Sequence, residues 1–280
     1  MAKLLLIFLL ALAPDTKPGI SPEDSARFVQ FIQYARAQGL ERLPHQERMT
    51  LIGEFFLGLP YEGGTLDRSG REELVVNLRA MDCVTFVDNV LSLALLDRYD
   101  PASLPAWLRE LRRVRYRGGK IDGYASRLHY STDWLHEMCR EGILRDMTRE
   151  LGGIPFPGQV GLITATADKR PAFRDDTSQL SKMRAVERAI NGRERLYIPR
   201  GRVTPELCQK IQDGDIILFT TDKKGLDTAH VGIACRRNGA TRVMHASLGK
   251  REITVSQESL AGYLEKIPSH SGIIIARLNY

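Results

Sequence analysis

Between Asp82 and Leu95 the chain carries Val84, Val87, Leu91 and Leu95 at helical spacing, and Phe86, Val90 and Leu93 fill the remaining faces. A helix that is apolar on nearly every side has to be wrapped by other elements. The segment therefore predicts a core helix around which the rest of the chain is arranged. Asp82 reads as its N-cap, which places Cys83 in the first turn, where unpaired backbone N–H groups and the positive end of the helix dipole converge. Such a position stabilises a thiolate, the reactive form of cysteine, and the same N–H groups can hold a developing oxyanion. An arbitrary cysteine in an apolar helix is a buried structural thiol, so the functional reading depends on its partners.

The elements before this helix and up to residue 212 are mostly helical. Ser21-Pro22-Glu23-Asp24 is a helix start, with a cap, a proline in the first turn and early acids, and the spacing continues to Gly39. A second helix is predicted over 44–57, extended chain over 71–81 leading into Asp82, and further helices over 104–114, 131–150, 178–191 and 204–212. After Asp213-Gly214-Asp215 the pattern changes to short strands, 216–219, 230–235, 243–247, 252–255 and 272–278, with turn residues between them. Helices first and a clustered antiparallel sheet afterwards imply α+β architecture rather than alternating βαβ units. No repeat or Gly/Ser linker divides residues 20–280, which read as one domain.

At 43% hydrophobic and 26% charged residues, disorder is excluded. Lys and Arg number 40 against 34 Asp and Glu, a net charge of +6, but the two signs are interspersed and no basic arm points to nucleic acid. The densest basic cluster, Arg109, Arg112, Arg113, Arg115 and Arg117, sits on a helix-like stretch and reads as a solvated face. Residues 4–13 are uninterruptedly apolar and end in Ala11-Leu12-Ala13, so 1–13 reads as an export signal or short membrane-targeting segment. This run is too short to span a bilayer, and no later stretch approaches the ~20 residues required. Cys83, Cys139, Cys208 and Cys235 show no C-x-x-C pair, which argues against a disulfide scaffold or zinc ribbon.

Two histidines supply the partners. Asn238-Gly239 is a strong two-residue hairpin signal, and a turn centred there places His245 opposite Gly232 and His230 opposite Ser247. Both histidines then face the same side of the sheet as diagonal neighbours, and Gly232 leaves space beside His245. The combination reads as a cysteine nucleophile, His230 as the base that takes its proton, and His245 as the group that fixes the tautomer of the base.

Met-Asp-Cys83-Val-Thr-Phe-Val, Asp213-Gly-Asp-Ile-Ile-Leu-Phe, Ala-His230-Val-Gly-Ile and Met-His245-Ala-Ser occur in that order, and together they resemble the NlpC-type papain-like cell-wall hydrolases. Cys-Val-Thr-Phe-Val-Asp around Cys83, the stretch from Tyr124 through Arg-Leu-His-Tyr to Trp134, and Gly225-Leu-Asp-Thr-Ala-His230 are most similar to the N-acetylmuramoyl-L-alanine amidase-like family within that superfamily. The resemblance covers nearly the whole chain after residue 20. It implies a papain-like fold with a helical first half, Cys83 as nucleophile, His230 as base and His245 as third residue. It also implies cleavage of the amide between N-acetylmuramic acid and L-alanine through an acyl-enzyme, with peptidoglycan fragments as substrate, no metal and no cofactor. With the apolar N-terminal segment, the expected place of action is the periplasm or cell envelope.

Arg127, Tyr130 and Trp134 suit a sugar face and peptide carboxylates, with Tyr130 and Arg127 favoured because Trp134 also reads as a buried residue. Asn77, on the approach to Cys83, could donate to an oxyanion or substrate, or simply bond the backbone. His129 and His136 are seven residues apart, with no HExxH pattern to suggest zinc. Two rival readings stay open: a stem-peptide endopeptidase of the same superfamily that cuts between D-glutamate and diaminopimelate, and a catalytically silent murein-binding protein.

Overall fold

The computed structural model describes residues 19–67 and 71–279; the export segment expected over 1–13 lies outside the described residues. The helical half comprises α1 (Pro22–Ala37), α2 (His45–Phe55), α3 (Cys83–Ala94), α4 (Leu104–Arg115) and α5 (Ser131–Arg140). A mixed stretch follows with β1 (Leu144–Asp146), β2 (Ile154–Pro155), α6 (Leu162–Ala165), α7 (Pro171–Asp175), α8 (Thr177–Asn191), β3 (Leu196–Pro199) and α9 (Pro205–Lys210). The chain closes with β4 (Ile216–Thr220), β5 (Thr228–Arg237), β6 (Ala240–Ser247), β7 (Glu252–Val255), α10 (Leu260–Lys266) and β8 (Gly272–Leu278). Among the described residues no helix is long and apolar enough to cross a membrane.

The five strands expected after residue 213 all form. They pair antiparallel in one eight-stranded sheet of order β2-β3-β8-β4-β5-β6-β7, with β1 also on β8. The α+β reading holds. Strands β1 to β3 were not expected, and β1 replaces the second half of a helix predicted over 131–150. That helix stops at Arg140 because Gly142, at φ +71°, takes the left-handed position, with its N–H on Cys139 O and the Ile143 N–H on Met138 O. Such a two-bond closure satisfies the last carbonyls of a helix, and the apolar residues that follow are buried against the sheet instead, with Leu144 opposite Leu278.

Strand residues alternate between two cores, as the period of two demands. Ile216, Leu218, Val231, Ile233, Met244 and Ile274 face the core built with α1 to α5. Ile217, Phe219, Ala234, Val243, Ile273 and Ile275 face a second core closed by Cys208, Leu260, Tyr263 and Leu264 of α9 and α10. The expected core helix α3 lies in the first: every residue from Thr85 to Ala94 is buried.

One member of the basic cluster departs from the expected solvated face. Arg115 is 3% exposed and pairs with Asp88 of α3 at 2.8 Å, while also donating to Val75 O. It thereby ties the extended segment before Cys83 to both α3 and α4. Burial pushes the Asp88 carboxyl up, and Arg115 opposes that shift. Removing one member of a buried pair strands the other charge at a cost of about 3–5 kcal/mol. Arg115→Met is therefore expected to lose about that much in urea unfolding, and the double variant with Asp88→Leu to recover a large part of it.

Candidate active site

Cys83 is the first residue of α3. Asp82 caps the helix through a reciprocal box, in which Thr85 N donates to Asp82 Oδ1 at 2.8 Å and Asp82 N donates to Thr85 Oγ1 at 2.9 Å. The N–H groups of Cys83 and Val84 face the sulfur.

A strap at residues 58–62 fixes this helix start to the sheet. Gly58 N donates to Ile253 O, Ile253 N to Leu59 O and Tyr61 N to Arg251 O, at 2.8 to 2.9 Å, which joins the strap to the β7 side. On its other edge Met81 N donates to Pro60 O and Glu62 N to Met81 O, both at 3.1 Å. A continuous set of backbone hydrogen bonds thus runs from β7 to the second residue before Cys83.

The sheet meets the sulfur where β5 and β6 part. Their register is the one set by Asn238-Gly239, both at positive φ, and their ladder runs from Arg237↔Ala240 to Ile233↔Met244. Ala234 N donates to Asp215 O at 2.7 Å on the β4 side, so by antiparallel alternation Gly232 and His230 also turn their amides to β4 and Val231 turns its amide toward β6. With the ladder ended, that Val231 N–H faces the Cys83 sulfur. Cys83 is thereby held beside the residue that follows His230.

Across the same gap His230 Nε2 and His245 Nδ1 lie 2.7 Å apart with their rings nearly perpendicular. The expected diagonal pair exists, but His230 is opposite Phe219 of β4 and His245 opposite Thr254 of β7, and the two meet through their rings beyond the end of the ladder. Gly232 permits it: a Cβ there would stand 2.9 Å from Met244 O and 3.2 Å from His245 Cβ. At the other end of the β5 approach, the buried Asp227 carboxylate accepts from Thr132 N and Oγ1, each at 2.7 Å, which pins the start of α5 to the strand that carries His230.

Burial, then the Asp82 carboxylate, push the Cys83 thiol up to about 12, against the opposing pull of the Val231, Val84 and Cys83 amides. This reverses the expectation of a thiolate at rest, because the residue that caps the helix also places a negative charge beside the sulfur. Burial, then His245 and His270, bring His230 down to about 3, and burial followed by Lys250 brings His245 to about 4. The resting pair is a neutral thiol and a neutral imidazole.

The other expected site residues have protein partners. Asn77 Oδ1 accepts from Arg79 N and Ala80 N, both at 3.0 Å, and its amide reaches Glu62, so it shapes the turn before Cys83. Arg127, 5% exposed, pairs with Asp67 at 2.9 Å and Glu72 at 3.2 Å. Tyr130, 1% exposed, donates to Glu187 at 2.7 Å and accepts from Ile163 N, and Trp134 is buried in the first core. Arg127 and Tyr130, expected to be open to a ligand, are thus both buried, and each pairs with an acid distant in sequence. His129 turns Nε2 to Tyr124 O at 2.8 Å, while His136 is exposed on α5. Beside Arg127, Glu72 and Tyr124 line a cleft of about 360 Å³ with Arg71, Asp175, Asp176 and Gln179, and neither Cys83 nor the two histidines border it.

Three residues at the site had no sequence signal. Tyr61 lies on the strap close enough to Cys83 and Asp82 for their charges, after burial, to raise its phenol. Tyr263 of α10 packs edge-on to His245 at 5.3 Å, and its phenol is raised by burial and then by Cys83. His270 lies parallel to His230 at 6.1 Å. Because an added methyl at Gly232 would stand 2.7 Å from Val243 Cγ1, 2.9 Å from Met244 O and 3.2 Å from His245 Cβ, Gly232→Ala is expected to lower turnover by about tenfold or more. Thermal unfolding and steady-state kinetics, measured together, check that the loss exceeds what destabilisation explains.

A family model described as AmiA-like, N-acetylmuramoyl-L-alanine amidase-like, matches residues 51–273. Among solved structures, one of an N-acetylmuramoyl-L-alanine amidase from Bacteroides uniformis is 34% identical with a TM-score of 0.78, covering 83% of this chain and 99% of its own. A second structure of an amidase so named from the same organism is 32% identical with a TM-score of 0.79, covering 84% and 98%. A Legionella pneumophila protein at 20% identity and TM-score 0.71, covering 91% and 94%, shares the fold. A search of curated proteins gave no significant match. The chain belongs to the N-acetylmuramoyl-L-alanine amidase-like (AmiA-like) family of cell-wall hydrolases.

Proposed function

We propose that this protein is a papain-like cysteine amidase that hydrolyses the N-acetylmuramoyl-L-alanine bond of peptidoglycan fragments outside the cytoplasm. The observation that carries the reading is that, where the β5–β6 ladder ends, the amide of Val231 faces the Cys83 sulfur at a capped helix start while the adjacent His230 bonds His245 at 2.7 Å. For His230 to accept a proton on Nδ1, its Nε2 must carry hydrogen, and the acceptor for that hydrogen is His245 Nδ1 at 2.7 Å. His245 thus selects the tautomer that the base requires.

From the neutral pair, the thiol proton passes to His230 Nδ1 as the sulfur attacks the lactyl carbonyl carbon. The oxyanion forms beside the Cys83 and Val84 amides, which a helix start leaves without intrahelical partners. Protonated His230 then gives the proton to the L-alanine nitrogen, the C–N bond breaks, and the acyl group remains on sulfur as a thioester. Water, deprotonated by His230, releases the muramyl acid and regenerates the thiol.

Mass spectrometry of a purified muropeptide tests the assignment. Wild type is expected to release muramyl sugar and an intact peptide that begins with L-alanine, and Cys83→Ala to lose at least about a thousandfold in rate. A severed stem peptide would replace the amidase by the endopeptidase reading, and a substrate left unchanged by both proteins would favour murein binding without hydrolysis. The ionisation state gives an independent check. With the thiol near 12, Cys83 should show no ultraviolet thiolate absorbance at neutral pH, and its alkylation should accelerate with rising pH without a plateau between 4 and 8. With His230 near 3, protonation of the base should not limit kcat/KM until pH falls far below the usual histidine value of 6.5.

A further inference from the structure

The mechanism above uses two imidazoles, yet a third lies against them. His270, immediately ahead of the Ser271 that leads into β8, is 4% exposed, and its backbone is clamped on both sides. Its N–H donates to Ile267 O at 3.0 Å, its carbonyl accepts from Arg200 Nε at 2.8 Å, and the neighbouring Ser271 N donates to Thr220 O at 2.8 Å. The ring is parallel to that of His230 within 7°, at 6.1 Å between centroids. It rests on Phe219 at 4.9 Å, which meets His230 in turn at 5.7 Å, and Tyr263, itself 5.3 Å from Phe219, stands 6.0 Å away.

A single hydrogen bond does not fix an imidazole. The contact with His245 anchors one atom of the His230 ring, whereas the torsion that sets the ring plane is broad for histidine. Proton transfer needs that plane, because the nitrogen that meets the thiol must hold its direction as well as its distance. The flat neighbours of His230 are Phe219, directly opposite in the β4–β5 register, Tyr263 at 6.5 Å and His270, and of the three only His270 lies parallel to it. His270 Nδ1 is itself buried without a hydrogen-bond partner, so the side chain is held by ring contacts.

We propose that His270 is a positioning residue for His230, its clamped ring fixing the plane in which the base faces Cys83. The inference rests on the cysteine amidase reading and adds a residue to it. Because contact of flat rings carries the effect, His270→Phe should preserve it and His270→Ala should not.

The test compares wild type, H270A, H270F and C83A on one purified muropeptide. In H270A, kcat is expected to fall by about tenfold or more while KM stays within about twofold, and H270F should remain within about threefold of wild type. The Nε2–H proton resonance of His230, held by His245, should be sharp in wild type and H270F and exchange-broadened in H270A, a signature that a loss of stability alone would not produce. If H270A does not fold, H270L takes its place, with apolar bulk but no flat ring. Wild-type kcat in H270A or H270L overturns the proposal, as does a loss in H270F as large as in H270A. Undiminished hydrolysis by C83A would instead overturn the cysteine reading on which the proposal stands.

Discussion

The ladder between β5 and β6 stops at Ile233↔Met244, and the candidate site depends on that stop. One more pair of hydrogen bonds would commit the Val231 amide to β6 and close the space that the Cys83 sulfur shares with it. An unpaired buried amide is costly, so the opening persists because the sulfur faces the exposed N–H while His230 and His245 bond across it. The strap at 58–62 completes the arrangement: it hydrogen-bonds β7 on one edge and Met81 on the other, so the start of α3 is delivered to the gap by backbone bonds.

That delivery has an electrostatic consequence. The helix start offers amides to a thiolate, but the capping acid stands beside the same sulfur, and burial disfavours charge on both cysteine and histidine. A thiolate–imidazolium pair would need a counter-ion for the imidazolium, and the third residue here is a histidine held neutral by its own burial and by Lys250. Under the proposed mechanism, proton transfer would therefore accompany attack, with charge appearing only when the substrate carbonyl is in place to receive it.

Much of this was legible in the residues, and most of what was not depends on partners distant in sequence. The hairpin register followed from Asn238-Gly239, since a two-residue turn with both residues at positive φ fixes the pairing within a few bonds of itself. The core helix and its cap followed from apolar spacing and Asp82. Each is a local property. Arg115 read as solvated because its carboxylate partner is 27 residues away on another helix, and Tyr130 read as open because its acceptor, Glu187, is 57 residues away. His270 had no signal at all, since nothing in Ser269-His270-Ser271 indicates that its ring will pack against Phe219 and Tyr263. The effect of Asp82 on the thiol was missed for a different reason: one side chain acts both as cap and as charge, and the pattern displays only the first.

The two cores explain why the site lies where it does. Cys83 packs with the helical half against one face of the sheet, whereas the neighbours of His230, Phe219 and Tyr263, belong to the core on the other face. A continuous sheet would keep these groups apart, because paired strands present side chains to opposite faces and leave no passage between them. Parting two strands at Gly232 removes that barrier at one point without unzipping the rest, since His245 stays paired to β7 and His230 to β4. Cys83 and His230 are thus each anchored in a separately packed core, so neither depends on the other to be held in place.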